Sequence, residues 1–224
     1  MRAAIVTHYE IADLSLALKR HGFLLSKKPQ FVFTYGGDGT ILEAERKFPG
    51  IPLIPVQRSR MCSHCAVYNV YGFDKTLHAL RRGRYKIKEE KKIEAVFRGR
   101  IISALNDIQV HMKDSRRALR FSVKSQKIFY KEVVGDGVVA ATPYASGAYY
   151  RALGYRPFRH GCRLGFNNVW PKLPSLDVGK GVVVRLIREK AWLAADNFFL
   201  KEMRPGDSVR IKQSKKKARF VVIS

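Results

Sequence analysis

The chain has 224 residues, with 43 lysines and arginines against 18 aspartates and glutamates, a formal charge of +25. Its 46% hydrophobic and 11% aromatic residues exclude a disordered chain, and the length suits one large domain or two small ones. No apolar run reaches the roughly 18 residues of a spanning helix, and the opening MRAAIVTHYE lacks the pattern of an export signal. A soluble, cytoplasmic protein is expected, and three cysteines, too few for a disulfide framework, agree with that compartment.

The first stretch, AAIVTH, reads as a short buried strand. In EIADLSLALKRHGF, residues Ile11, Leu14, Leu18 and His21 recur at helical spacing and Gly22 ends the helix. QFVFTYGGDGTILEAERKF runs apolar from Phe31 to Phe33, breaks at Gly36 and Gly37, and resumes as a helix from Thr40. GIPLIPV supplies another strand, and this order implies a parallel, Rossmann-like sheet covered by helices. Past Arg84 the texture becomes short alternating runs separated by polar turns such as FRGR and KSQK, and later by Pro-Gly-Asp. The chain therefore divides into an α/β domain, residues 1–84, and a β-rich domain, residues 85–224.

The basic excess calls for negatively charged partners: nucleic acid, anionic lipid or a phosphorylated small molecule. It is spread over Arg58 and Arg60, Arg81 to Lys92, Arg116 to Arg120, Arg156 to Arg163 and Lys212 to Arg219, which read as solvated faces. The last, KQSKKKAR, runs into ARFVVIS and is expected to be a turn between strands. Cys62, His64 and Cys65 form C-x-H-C with Cys162 far downstream. Structural zinc normally uses two well-spaced pairs, so no metal site is assigned and ordinary packing or exposure is expected for these three.

Tyr35-Gly36-Gly37-Asp38-Gly39-Thr40 lies between a strand and a helix, where backbone amides and the helix dipole hold phosphate. Anion binding needs no aspartate and is opposed by one. Asp38 therefore either accepts a proton, organises a metal, or caps the helix. Asn106 and Asp107, taken alone, read as a turn between strands.

GGDGT, then Asn106-Asp107, then Gly135-Asp136-Gly137 followed by TPYASGAY (Thr142 to Tyr149), resembles the ATP-dependent NAD kinase family in order and spacing. The resemblance spans roughly residues 30 to 210 and implies that family's fold, an α/β domain followed by a β-rich domain. It implies that Asp38 accepts the proton of the adenosine 2′-hydroxyl while Gly36, Gly37, Gly39 and Thr40 shape the phosphate loop. Asp38, Gly39, Asn106, Asp107, Asp136, Thr142, Tyr144, Gly147, Ala148 and Tyr149 would contact NAD, and Asp196 stands where the family carries a late aspartate. ATP or polyphosphate as donor, Mg²⁺ as cofactor and a homo-oligomer are implied as well. A membrane is not an implied partner, and neither is nucleic acid.

The chain departs from the family's TPTGSTAY at Tyr144, Ala145 and Gly147, and a phenol at 144 either stacks on a base or fills its pocket. It also carries PVQRSRMCSHCAVY where the family has a Gly-rich, apolar segment. Two other readings remain: a GGDGT-type kinase of a lipid or sugar hydroxyl, and a catalytically silent nucleotide- or RNA-binding paralogue.

Overall fold

The structure is a computed structural model that describes residues 1–10, 12–57, 62, 64 and 73–223. Ile11, Arg58, Arg60 and Cys65, all named above, lie outside the described residues. The chain forms two compact units, one of residues 1–90 with 217–224 and one of residues 91–216.

The first unit contains β1 (Arg2–Thr7), α1 (Ala12–Arg20), β2 (Leu24–Leu25), β3 (Phe31–Gly36), α2 (Asp38–Lys47), β4 (Leu53–Gln57) and α3 (Phe73–Arg81). Its strands are parallel in the order β2, β1, β3, β4, and residues from the end of the chain add another beyond β4, Phe220 pairing with Leu53. Phe31, Val32, Phe33 and Thr34 are all buried, the pattern of a central strand covered on both faces. Leu18, Phe23, Leu77 and Leu80 pack with Phe31, Phe33, Ile54 and Val221 to close the core. Gly22 has φ +74, which ends α1 in the left-handed region that glycine enters at no steric cost.

The second unit is antiparallel. After β5 (Tyr85–Phe97) come β6 (Arg100–Ala104), β7 (Asp107–Met112), β8 (Leu119–Lys124), β9 (Phe129–Gly135), β10 (Gly137–Ala141) and the short α4 (Tyr149–Ala152). Then follow β11 (Arg163–Asn167), β12 (Leu176–Asp177), β13 (Val182–Arg188), β14 (Ala191–Ala195), β15 (Phe199–Met203) and β16 (Ser208–Ile223). Strands β12, β11, β10, β7, β14 and β15 form one sheet in that order, while β16, β13, β8 and β9 are neighbours in another. Alternate residues from both sheets, among them Ile108, Val110, Val138, Leu164 and Leu193 against Phe121, Val123, Val184 and Val209, build one shared core.

FRGR is a tight hairpin, with Arg98 at φ 47 and Gly99 at φ 76 joining β5 to β6. KSQK joins β8 to β9 and is closed by Ser125 N–H donating to Ile128 O. The expected turn at KQSKKKAR is corrected: it lies inside β16, a continuous strand of 16 residues. Ser214 and Ala218 turn inward while Lys215, Lys216 and Lys217 stay exposed, so the ladder is kept and the charges remain hydrated. The boundary between the units falls within this strand and within β5, later than the change of texture after Arg84.

Candidate active site

In the first unit β3 and β4 are parallel neighbours, Gly36 opposite Gln57, so the turns that follow both strands emerge at the same carboxyl edge. The first is GGDGT. Asp38 is the first residue of α2; the preceding N-cap, Gly37, is extended and no side chain caps the helix. The capping reading of Asp38 is thus overturned. Its half-buried carboxylate is turned to the loop after β4, where Oδ1 accepts the backbone N–H of His64 at 3.1 Å and meets His64 Nδ1 at 3.0 Å. Cys62 Sγ lies 3.6 Å from the same oxygen; Cys62 is disulfide-bonded, which corrects the expectation of ordinary packing or exposure for it, and Cys162 is free and buried. A Cβ on Gly36 would stand 2.3 Å from Thr40 Oγ1, so only glycine lets the buried Thr40 side chain close this turn.

In the second unit the loop joining β6 to β7 carries Leu105 and Asn106, with Asp107 opening β7. It is built from two sides. The Asp196 carboxylate accepts the N–H groups of Leu105 at 2.9 Å, Asn106 at 2.7 Å and Asp107 at 3.3 Å, and the Asp196 N–H donates to Asp107 O at 3.0 Å. Asp196 has φ 49, a left-handed conformation that aspartate tolerates better than most residues. From the other side, Thr142 Oγ1 donates to Leu105 O at 2.6 Å and Thr142 N–H to Asn106 O at 2.9 Å. The Thr142 hydroxyl, fully buried, is engaged by this loop. Asn106 Oδ1 is buried and, among the described residues, has no hydrogen-bond partner.

Burial dominates the acidity of this cluster. It pushes the Asp107 carboxyl up to about 6, against a hydrogen bond from Gln109 Nε2 at 2.8 Å and with the help of the nearby Asp196 charge. Burial also raises Asp196, opposed by the three backbone N–H groups and by the buried Lys92. The Tyr149 phenol is raised by burial and then by the charges of Asp107 and Asp136, which keeps it protonated; its oxygen accepts from Asn167 Nδ2 at 3.2 Å.

Gly135-Asp136-Gly137 passes from β9 to β10. A Cβ on Gly137 would fall 1.8 Å from Val110 O, and Gly137 has φ +132, so a side chain is excluded there by the close approach of β7. Asp136 is held through its N–H to Asn167 O and its C=O to Met112 N–H, and its carboxylate accepts Asn168 Nδ2 at 3.2 Å. In TPYASGAY, Tyr144 is buried and Ser146 Oγ is tied to Pro143 and Phe158, whereas Gly147 and Ala148 are exposed at the start of α4.

Asn106, Asp107 and Thr142 are thus joined by hydrogen bonds with Asp196 at their base, and Tyr149 and Asp136 are joined through Asn167, the charges of Asp107 and Asp136 both acting on the Tyr149 phenol. His64 is the residue that reading along the chain missed. The available signal was topological: a polar loop after the strand next to GGDGT must emerge beside it. Among the described residues, no group of three or more His, Cys, Asp or Glu side chains gathers to hold a metal, and no helix is long and apolar enough to cross a membrane.

No family model matches the chain. It is 27% identical over 206 residues to an NAD kinase of Thermomicrobium roseum, covering 86% of this chain and 70% of the relative. It is 28% identical over 203 residues to an NAD kinase of Pyrococcus abyssi, covering 85% and 72%. Among solved structures, an NAD kinase from Archaeoglobus fulgidus in complex with ATP superposes with a TM-score of 0.80 at 20% identity, covering 98% of this chain and 93% of that one. Yeast NADH kinase complexed with NADH gives 0.81 at 13% identity, covering 100% and 84%. The fold, an α/β unit bearing GGDGT and a β-rich unit bearing the Asn-Asp loop, is the one these two structures share. Over most of its length the chain is similar to NAD kinases.

Proposed function

We propose that the protein is an NAD kinase, transferring the γ-phosphoryl group of ATP to the 2′-hydroxyl of the adenosine ribose of NAD. The observation that carries this reading is the prebuilt Asn106–Asp107 loop with the buried Asn106 Oδ1, which has no hydrogen-bond partner among the described residues. A buried acceptor without a donor costs roughly 1–3 kcal/mol, and a ligand hydroxyl or amino group that donates to it removes that cost. Asp107 offers a carboxylate beside this amide, so the pair can both donate to and accept from a ribose.

Phosphoryl transfer asks for in-line placement and neutralised charge, with little covalent help. The 2′-oxygen forms its bond to Pγ as the bond from Pγ to the β-bridging oxygen breaks and ADP leaves. The hydroxyl proton passes to the Asp38 carboxylate. The amino end of α2 presents amides and its positive dipole end to the triphosphate. The Asp38 carboxylate and the nucleotide phosphates are hard oxygen donors of the kind Mg²⁺ takes. A Mg²⁺ ion held by such oxygens would neutralise charge on the transferring group. Polyphosphate offers the same terminal phosphoryl group and is a second donor. We place the enzyme in the cytoplasm as a homo-oligomer.

The test is NADP formation by purified protein with Mg²⁺ and ATP or polyphosphate, beside Asp38→Asn and a panel of lipid and sugar acceptors. NADP made by the wild type and lost by about 10²–10⁴-fold in Asp38→Asn is expected. Transfer to a lipid or sugar with none to NAD would overturn the acceptor, and near-normal turnover in Asp38→Asn would overturn the base.

A further inference from the structure

Asp38 is held by a second residue that the family pattern does not supply. His64 engages one oxygen, Oδ1, twice: through its backbone N–H at 3.1 Å and through ring Nδ1 at 3.0 Å. A carboxylate in the first turn of a helix has rotational freedom about χ1 and χ2, and two bonds to one oxygen from a neighbouring loop remove it. The two loops meet because β3 and β4 are parallel neighbours ending at the same edge, so the contact follows from the topology. The contact is partly shielded, with 22% of the His64 side chain and 34% of the Asp38 side chain exposed, which preserves the strength of a charge-assisted bond.

We infer that His64 is a positioning residue for Asp38, its Nδ1–H donating to Oδ1 and so fixing the plane in which the carboxylate receives the acceptor's proton. This rests on the reading of Asp38 as the base. The imidazole touches no reacting atom: it neither gives nor takes the transferred proton. What it supplies is the orientation of the carboxylate, and misplacing a reacting group by an ångström costs on the order of 10²-fold in rate. The tautomer follows from the pairing, since a carboxylate accepts and the ring nitrogen facing it must then carry hydrogen. In C-x-H-C, then, the histidine ring faces the Asp38 carboxylate through Nδ1.

Three variants and one spectrum test this. His64→Ala should lower kcat by about 10- to 100-fold while leaving the KM of ATP and of NAD within about twofold, since orientation is used in the transition state. His64→Asn, whose amide N–H reaches the place of Nδ1–H, should recover most of that loss. In an Asp38→Asn background, His64→Ala should change nothing further, because the residue acts through Asp38. Independently of activity, ¹⁵N NMR of the ring should report hydrogen on Nδ1 in the wild type and a changed tautomer balance in Asp38→Asn. A wild-type kcat in His64→Ala, or an equal loss in the Asp38→Asn background, overturns the inference while leaving the base reading intact. If the wild type makes no NADP, the functional reading falls, and the spectrum still decides the pairing: identical ¹⁵N shifts in both proteins overturn it.

Discussion

The Asp196 carboxylate accepts the backbone N–H of Asn106 at 2.7 Å, and the two residues stand at opposite ends of the second unit's sequence. This bond and its companions to Leu105 and Asp107 give the Asn-Asp loop its shape before any ligand arrives. Asp196→Ala strands three N–H groups in a buried setting. A loss of about 2–4 kcal/mol in unfolding free energy by urea titration is expected, together with weaker dinucleotide binding. Asp196→Asn keeps an acceptor oxygen and should recover part of both; equal stability in the wild type and Asp196→Ala would show that the loop stands without it.

Asn106 behaves differently. Among the described residues its buried Oδ1 has no hydrogen-bond partner, so removing it gives up no bond to them. Asn106→Ala is expected to keep unfolding stability within about 1 kcal/mol of wild type while weakening NAD binding about tenfold or more. Calorimetric titration with NAD beside a urea melt separates the two effects. A variant that binds normally would release Asn106 from the site.

Asp107 sets a pH dependence. Its folded pKa of about 6 lies above the ordinary carboxylate value, so the folded state holds the proton more tightly than the unfolded chain. Its contribution to stability is therefore fully present below about pH 4 and is lost as pH rises to about 6, by about 3 kcal/mol at most. Asp107→Asn should flatten that part of the stability profile, measured by urea titration between pH 4 and 7. The ionised carboxylate is the better acceptor for ribose hydroxyls, so the KM for NAD should rise as pH falls through about 6, and an unchanged profile in Asp107→Asn would assign the titration elsewhere.

Gly36 is a steric requirement. Gly36→Ala would drive a Cβ to 2.3 Å from Thr40 Oγ1 and 3.1 Å from Thr40 Cβ, and Thr40 is buried in α2. A loss of about 1–3 kcal/mol is expected, with a sharp fall in turnover as the GGDGT turn shifts. Adding Thr40→Ala removes the closer contact, so the double variant should be more stable than the sum of the single losses predicts. Strict additivity in thermal melts would place the strain elsewhere.

Local pattern carried much of this molecule. Phe31 to Phe33 read as an apolar run, Gly22 stops a helix and Arg98-Gly99 turns a hairpin, because those residues meet constraints within their own segments. GGDGT stood between strand and helix for the same reason. Lys215 to Lys217 misled, because three adjacent cations resemble a turn until the strands that pair with them are known.

By itself, then, the sequence determined the elements, the change from α/β to β texture and the motif set by which the chain resembles NAD kinases, since periodicity and turn chemistry are written in neighbouring residues. The tertiary structure alone decided that Asp196 and Thr142 brace the Asn106 loop, that residues 217–224 return to the first unit, and that His64 holds Asp38. Each of these joins segments distant along the chain, or loops that meet only because their strands are neighbours. Such pairings depend on sheet order and register, and no local propensity encodes them.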